Sequence, residues 1–303
     1  MITEELMREV RRLEIRARRR VDDLFGGQYH SAFKGQGIEF AEVREYQPGD
    51  EVRTIDWNVT ARTGHPHIKR FTEERQLTVI LCVDCSLSTG FGSVMRSKHQ
   101  LACELGAVLT LAAGKNNDRV GLQIFGSNHL QQEPFHLRPS KGKTHARRIM
   151  RELIESEPGE SSFTLSDALA ELGRTHKRRA IIFVLSDFLS GLNNRSEPDW
   201  AKPMRMLSRK HEVVALQLTD PFEFDLPRAG LIRMHDPISG RRYSVDTSSR
   251  RVRERYHAQA LREQSLIDES FKRARIDRVE LSTSGSIVEP LIKYFQQREM
   301  RKR

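Results

Sequence analysis

The stretch Asp84-x-Ser86-x-Ser88 follows directly on the apolar run 77–83, so a carboxylate and two hydroxyls emerge together where a buried strand is predicted to end. Two later positions match in character. Thr164 opens a helical stretch predicted over 165–177, and Asp187 closes a second apolar run, 180–186. Together the residues offer hydroxyl and carboxylate oxygens, a hard-donor set that suits magnesium, which takes about six oxygens at roughly 2.0–2.1 Å. With Ser86, Ser88 and Thr164 as direct ligands and Asp84 and Asp187 acting through bound water, the inner shell stays neutral and the ion keeps its Lewis acidity. A carboxylate from outside is then drawn to the open position. Manganese accepts the same oxygens. The simpler alternative is that Ser86, Ser88 and Asp187 only cap helices, a role that Ser and Asp favour.

These residues meet only if the strands that carry them lie side by side. From Leu77 onward apolar runs alternate with amphipathic stretches, the pattern of a parallel α/β sheet. Strands are predicted at 77–84, 119–126, 130–137, 180–186, 212–218 and 278–282, and helices at about 97–115, 143–156, 165–177, 199–210, 251–275 and 285–299. The helix from Ser97 carries Leu101, Leu105, Val108, Leu109 and Ala112 on an apolar side, with small Ala102 and Gly106 allowing close approach to the first strand. In an open sheet of this kind ligands bind outside the carboxyl ends of the strands, where the strand order reverses. Asp84 and Asp187 are both expected on that edge.

Ahead of the sheet, Leu6, Val10, Leu13, Ala17, Val21 and Leu24 recur at helical spacing, so an amphipathic helix is expected to end at Gly26-Gly27. Residues 29–72 are then punctuated by Gly35, Gly37, Pro48-Gly49, Gly64 and Pro66, which reads as a small β-rich unit. Three units follow: 1–27, an amphipathic helix; 28–75, the β-rich unit; and 76–303, the α/β domain, with a β-hairpin inserted at about 221–247. In the β-rich unit Pro48-Gly49 suits a type II turn. Asp50, Arg53 and Asp56 can pair with Arg44 or Arg62 around Tyr46 and Trp57, either as a brace or as a docking surface.

The order D-x-S-x-S, distant Thr, distant Asp resembles the metal-ion-dependent adhesion site of von Willebrand factor A-type domains. The resemblance implies a doubly wound α/β sheet with helices on both faces, and Asp84, Ser86, Ser88, Thr164 and Asp187 as its metal site. Members of that class often carry Gly before the Thr, whereas Phe163 stands there in this chain. A phenylalanine does not readily take the positive φ open to Gly, so metal affinity or the approach of a partner is expected to differ. With Gly37-Ile38-Glu39-Phe40, Arg44-x-Tyr46-x-Pro48-Gly49-Asp50, Arg53-x-Ile55-Asp56-Trp57, Ala61-Arg62 and Asp118-Arg119-Val120-Gly121-Leu122 added, residues 28–220 resemble the bacterial family that contains the domain of unknown function 58. That family is found beside MoxR-type AAA+ ATPases. The resemblance implies an adaptor or co-chaperone of such an ATPase in the assembly or maturation of protein complexes.

Composition bounds the alternatives. Hydrophobic content of 37% and charged content of 30% describe a heavily charged globular chain. No apolar run approaches the roughly 18 residues that would cross a bilayer, and the charged start lacks a signal peptide's apolar core, so no membrane insertion and a cytoplasmic setting are expected. The cysteines Cys82, Cys85 and Cys103 are odd in number and belong to the core rather than to a disulfide framework. A net charge of +10 raises nucleic acid as a partner. The basic runs at 16–20 and 250–255 are nevertheless mixed with acids and lack an aromatic ladder, so they read mostly as solvated helix faces; nucleic-acid binding through the basic surface is kept as a further alternative to an acidic protein client. A metal-assisted phosphoesterase with His99 as base is the enzymatic alternative. No Gly-rich phosphate loop is present, and the main expectation is a non-enzymatic interaction module.

Overall fold

The computed structural model describes residues 4–24, 32, 39–48, 50, 52, 55–72, 76–128, 133–192, 197–235 and 241–302. Helix α1 (Glu4–Leu24) is followed by a small unit of β1 (Glu39–Glu45), α2 (Trp57–Thr63) and β2 (His67–Thr72). The larger part runs β3 (Thr78–Asp84), α3 (Lys98–Lys115), β4 (Arg119–Phe125), β5 (Phe135–Ser140), α4 (Lys143–Glu155), α5 (Leu165–Thr175) and β6 (Ile181–Ser186). It continues through α6 (Ala201–Ser208), β7 (Glu212–Thr219), short α7 (Pro221–Phe224), the hairpin β8 (Leu231–His235) and β9 (Arg242–Asp246), α8 (Arg250–Ala274), β10 (Asp277–Ser282) and α9 (Val288–Lys302).

The sheet order is β10-β7-β6-β3-β4-β5. Strand β3 pairs in parallel with β4 on one side and with β6 on the other. The chain therefore reverses direction across the sheet at β3, and the switch-point crevice falls between the carboxyl ends of β3 and β6. This is the von Willebrand factor A-like doubly wound arrangement, a mostly parallel sheet with helices on both faces. Alternation along β3 divides the core. Val79, Leu81 and Val83 face α1, α3, α4 and α9, whereas Ile80 and Cys82 face α5, α6 and α8. Such two-sided burial is why the central strands read as unbroken apolar runs.

One strand departs from expectation. The segment predicted at 130–137 forms β5 only at Phe135–Ser140, and it runs antiparallel to β4 at the sheet edge. Pro139 is tolerated there because an edge strand leaves one row of backbone groups unpaired. The exposed positions of β5 break the apolar run that marks the central strands. The helix end expected at Gly26-Gly27, the Pro48-Gly49 turn and the hairpin turn at 237–240 reach outside the described residues, as do Arg53, Gly35 and Gly37.

Helix α1 buries Val10, Leu13, Ala17 and Val21 in the same core cluster as α3 and α4. Its polar residues also pair with these helices. Glu14 accepts from Arg147 Nε at 3.0 Å, and Arg20 donates to Glu104 at 2.7 Å. Much of the basic run at 16–20 is therefore engaged with Glu14 and Glu104. Gly106 is needed where α3 meets α4, since a Cβ there would stand 2.7 Å from Leu153 Cδ1. In the small unit Arg44 grips Asp50 with two bonds of 2.7 and 2.9 Å, and buried Asp56 caps α2 through the N–H groups of Asn58 and Val59. Trp57 projects from this brace, 68% exposed. Among the described residues no helix is long and apolar enough to cross a membrane.

The central strand β3 is buried on both faces. Leu81→Ala, at a fully buried position on β3, is expected to lower unfolding free energy by about 3 kcal/mol, read from denaturant titration. A loss below about 1 kcal/mol would mean that the two core layers do not meet on β3.

Candidate metal centre

Strands β3 and β6 deliver the two carboxylates to adjacent positions at the sheet's carboxyl edge. Asp84, the last residue of β3, is buried; its Oδ1 accepts the Ser86 N–H at 2.8 Å and its Oδ2 accepts the Ser186 hydroxyl at 2.6 Å. Asp187 follows β6 directly. Its Oδ2 accepts from Ser88 Oγ at 2.7 Å and from Lys98 Nζ at 2.6 Å, while Oδ1 accepts the Leu189 N–H at 3.1 Å. Ser86 Oγ and Ser88 Oγ lie 3.2 Å apart, so a continuous chain of hydroxyls and carboxylates links the two strand ends.

The backbone bends that create this arrangement have identifiable causes. Phe188 takes φ 58°, a left-handed conformation that costs a bulky residue energy. Its ring is held between Trp200 and Phe271, with centroids 5.3 and 5.0 Å away. The bend turns the Phe188 N–H onto Ser186 Oγ and fixes Asp187 at the crevice. On the other side Gly126 takes φ +83°, and a Cβ there would lie 2.6 Å from the Ser86 nitrogen. The Cys85 N–H reaches Phe125 O and the Gly159 N–H reaches Cys85 O, at 2.8 and 3.0 Å. These contacts clamp the loop carrying Ser86 and Ser88 between its neighbours.

Asp84, Ser86, Ser88 and Thr164 line one cleft of about 450 Å³, together with Gly126, Gly159 and Phe163. Asp187 stands behind this lining, one hydrogen bond away through Ser88. Thr164 also serves as the N-cap of α5. Its Oγ1 donates to Asp167 Oδ2 at 2.7 Å and accepts the Asp167 N–H at 3.3 Å, a capping box. A hydroxyl oxygen has two lone pairs, so the cap leaves one for a ligand. Capping is therefore part of Thr164's role, whereas Ser86, at the start of the 3₁₀ turn Leu87–Gly90, makes no side-chain cap bond. Phe163 is absent from the residues with positive φ; its N–H bonds to Ser161 Oγ at 3.1 Å and its side chain packs on the core.

Burial and the negative charge of Asp187 push the Asp84 carboxyl up to about 6. Burial acts in the same direction on Asp187, but the Lys98 ammonium and the hydrogen bonds from Lys98 and Ser88 outweigh it and hold this carboxyl below its usual range. A cation in the cleft would relieve the like-charge repulsion that Asp84 experiences. Among the described residues no three His, Cys, Asp or Glu side chains converge as a ligand set. A cation here would thus rest on the three hydroxyls, with the carboxylates behind them, and that donor set fits magnesium or manganese.

Sequence reasoning missed Lys98, Ser186 and Glu223. Ser186 lay one residue from Asp187 and its hydroxyl character was legible; nothing local marks Lys98 as buried. His99, the base considered for phosphoester cleavage, is buried on α3 beside Cys103, with its ring nitrogens 3.7 and 3.9 Å from Sγ, and does not line the cleft. The three cysteines are buried and free, and burial pushes the Cys103 thiol up to about 12. His67 and His65 close a turn, His67 Nδ1 lying 2.8 Å from His65 O.

Residues 42–266 match the family model described as protein of unknown function DUF58. An uncharacterized protein of Mycobacterium tuberculosis, Rv1480, is 32% identical over 250 residues, covering 81% of this chain and 76% of that protein. Among solved structures, the chain is similar to an aerotolerance-related membrane protein from Bacteroides fragilis, with 16% identity and a TM-score of 0.45 over 74% of this chain and 99% of the other. It is also similar to the conserved hypothetical protein BatB from Bacteroides thetaiotaomicron, with 16% identity and a TM-score of 0.43 over the same shares.

The raised Asp84 carboxyl gives a pH signature. Because the folded state holds this proton more tightly than the unfolded chain, the contribution is most favourable below about pH 4 and is lost as pH rises through about 6. In chelator, wild type is expected to lose on the order of 2–3 kcal/mol relative to Asp84→Asn between pH 4 and 7. Parallel stability profiles for the two proteins would show that Asp84 is not held in the folded state as a strained carboxylate.

Proposed function

The chain belongs to the DUF58 family, and we propose that it is a non-enzymatic protein-interaction module whose binding depends on a divalent cation, magnesium or manganese. The observation that carries this reading is the shared cleft of Asp84, Ser86, Ser88 and Thr164 at the switch point, with Asp187 bonded behind Ser88. Hydroxyl ligands leave most of the cation's charge uncompensated in the inner shell. An acidic side chain from a partner completes that shell, so affinity depends jointly on the metal and on the partner's carboxylate.

The chain's net charge of +10 adds a longer-range attraction toward acidic clients. The sequence resemblance supports a MoxR-type AAA+ ATPase as the motor with which the module works. In this account the ATPase supplies the energy and the present chain supplies recognition, by gripping a carboxylate on the ATPase or on its client.

The test is capture by immobilised wild type and Asp84→Ala, each with magnesium and with chelator, after circular dichroism has established that both fold. Wild type with magnesium is expected to retain an AAA+ ATPase or an acidic client at least tenfold above the other three conditions. The same partners at equal yield in all four would contradict a metal-bridged contact.

A further inference from the structure

Among the described residues Lys98 is one of the largest fully buried side chains. It begins α3, where a lysine would ordinarily reach solvent, yet its ammonium points beneath the candidate cation site. There it donates to Asp187 Oδ2 at 2.6 Å and to Glu223 Oε1 on α7. Burying a lone ammonium is costly, so a lysine is retained at such a place only when paired. The pairing is unequal. Three carboxylates, those of Asp84, Asp187 and Glu223, are connected through this cluster, and Lys98 is the one cationic side chain among the described residues within ion-pair distance of any of them. With all groups ionised the cluster holds an excess of two negative charges, which one divalent cation balances.

The network also extends away from the cleft. Glu223 Oε2 accepts the Asp220 N–H at 2.9 Å. Asp220 in turn receives the Ser93 N–H at 2.8 Å and the Thr283 hydroxyl at 2.6 Å. Those bonds satisfy Asp220 without a cation and tie α7 to the loop after β3 and to the end of β10. Glu223 is therefore held in place by its own backbone setting, and its carboxylate competes with Asp187 for the single ammonium.

We infer that Lys98 is the internal counter-charge that sets the cation affinity of the cleft, its share between Asp187 and Glu223 determining how much negative charge Asp187 presents behind Ser88. The inference rests on the metal-dependent reading above and goes beyond it by assigning a role to residues outside the oxygen set. Its signature is a pair of shifts of opposite sign. Removing the ammonium adds a full negative charge to the cluster and tightens cation binding; neutralising Glu223 gives the ammonium wholly to Asp187 and weakens it. A lysine that only braced Asp187 would produce weaker binding when removed.

Manganese is the probe, with free ion followed by electron paramagnetic resonance and the thermal midpoint measured in parallel. Lys98→Met is expected to bind Mn²⁺ about tenfold more tightly than wild type, to melt lower in chelator, and to gain more from added Mn²⁺. Glu223→Gln is expected to bind several-fold more weakly. Equal or weaker binding by Lys98→Met overturns the inference, and if that variant does not fold, equal or tighter binding by Glu223→Gln does so. If wild type and both variants bind Mn²⁺ alike, only the counter-charge role falls. If wild type does not bind Mn²⁺ at all, the metal-dependent reading falls and takes this role with it.

Discussion

Two buried carboxylates at the ends of neighbouring parallel strands are the constraint around which the molecule is arranged. Asp84 closes β3 and Asp187 follows β6, and each is almost wholly removed from water. Such charges are costly in a protein interior unless hydrogen bonds and counter-charges attend them. The surroundings supply both, unequally. Asp187 has an ammonium, a hydroxyl and a backbone N–H; Asp84 has a hydroxyl and a backbone N–H but, among the described residues, no cation of its own. That asymmetry explains the opposite displacement of the two carboxyls. A positive charge in the cleft beside Asp84 would relieve its repulsion from Asp187, which is the basis of the proposed cation site.

The rest of the architecture serves to hold this edge still. Reversal of strand order at β3 opens the crevice, and buried helices on both faces fix the strands that bound it. The left-handed turn at Phe188 and the close backbone approach at Gly126 are both local departures from easy geometry. Each is stabilised by packing outside the site, an aromatic cluster in one case and loop-to-loop hydrogen bonds in the other. The hydroxyls are thus held by rigid elements, as the proposed site for an ion with strict geometry would require.

Much of this was legible in the residues. The runs 77–83 and 180–186 read as buried strands because both faces of a central parallel strand are covered, so no polar alternation interrupts them. The D-x-S-x-S stretch and Asp187 stood at their ends and Thr164 at the start of a helix, and the structure brings four of these residues to one cleft with Asp187 directly behind. The edge strand was harder. An antiparallel strand with Pro139 and several exposed positions lacks the signal of a central one, and its bounds were placed five residues too early at the start and three too early at the end. Lys98 was illegible for another reason: its partners lie 89 and 125 residues away, and burial of a charged side chain is a property of the assembled fold. Thr164 caps α5 and still has a lone pair free for the proposed ligand role, so the cap does not exclude it.

The central claim is that the cleft receives a divalent cation on hydroxyl oxygens. The most direct measurement is a crystal structure grown with Mn²⁺ and recorded where manganese scatters anomalously. The account predicts a single strong peak about 2.1 Å from the hydroxyls of Ser86, Ser88 and Thr164, with water between the ion and both aspartates. A fully occupied peak elsewhere with none in the cleft, or no peak at saturating Mn²⁺, would contradict it.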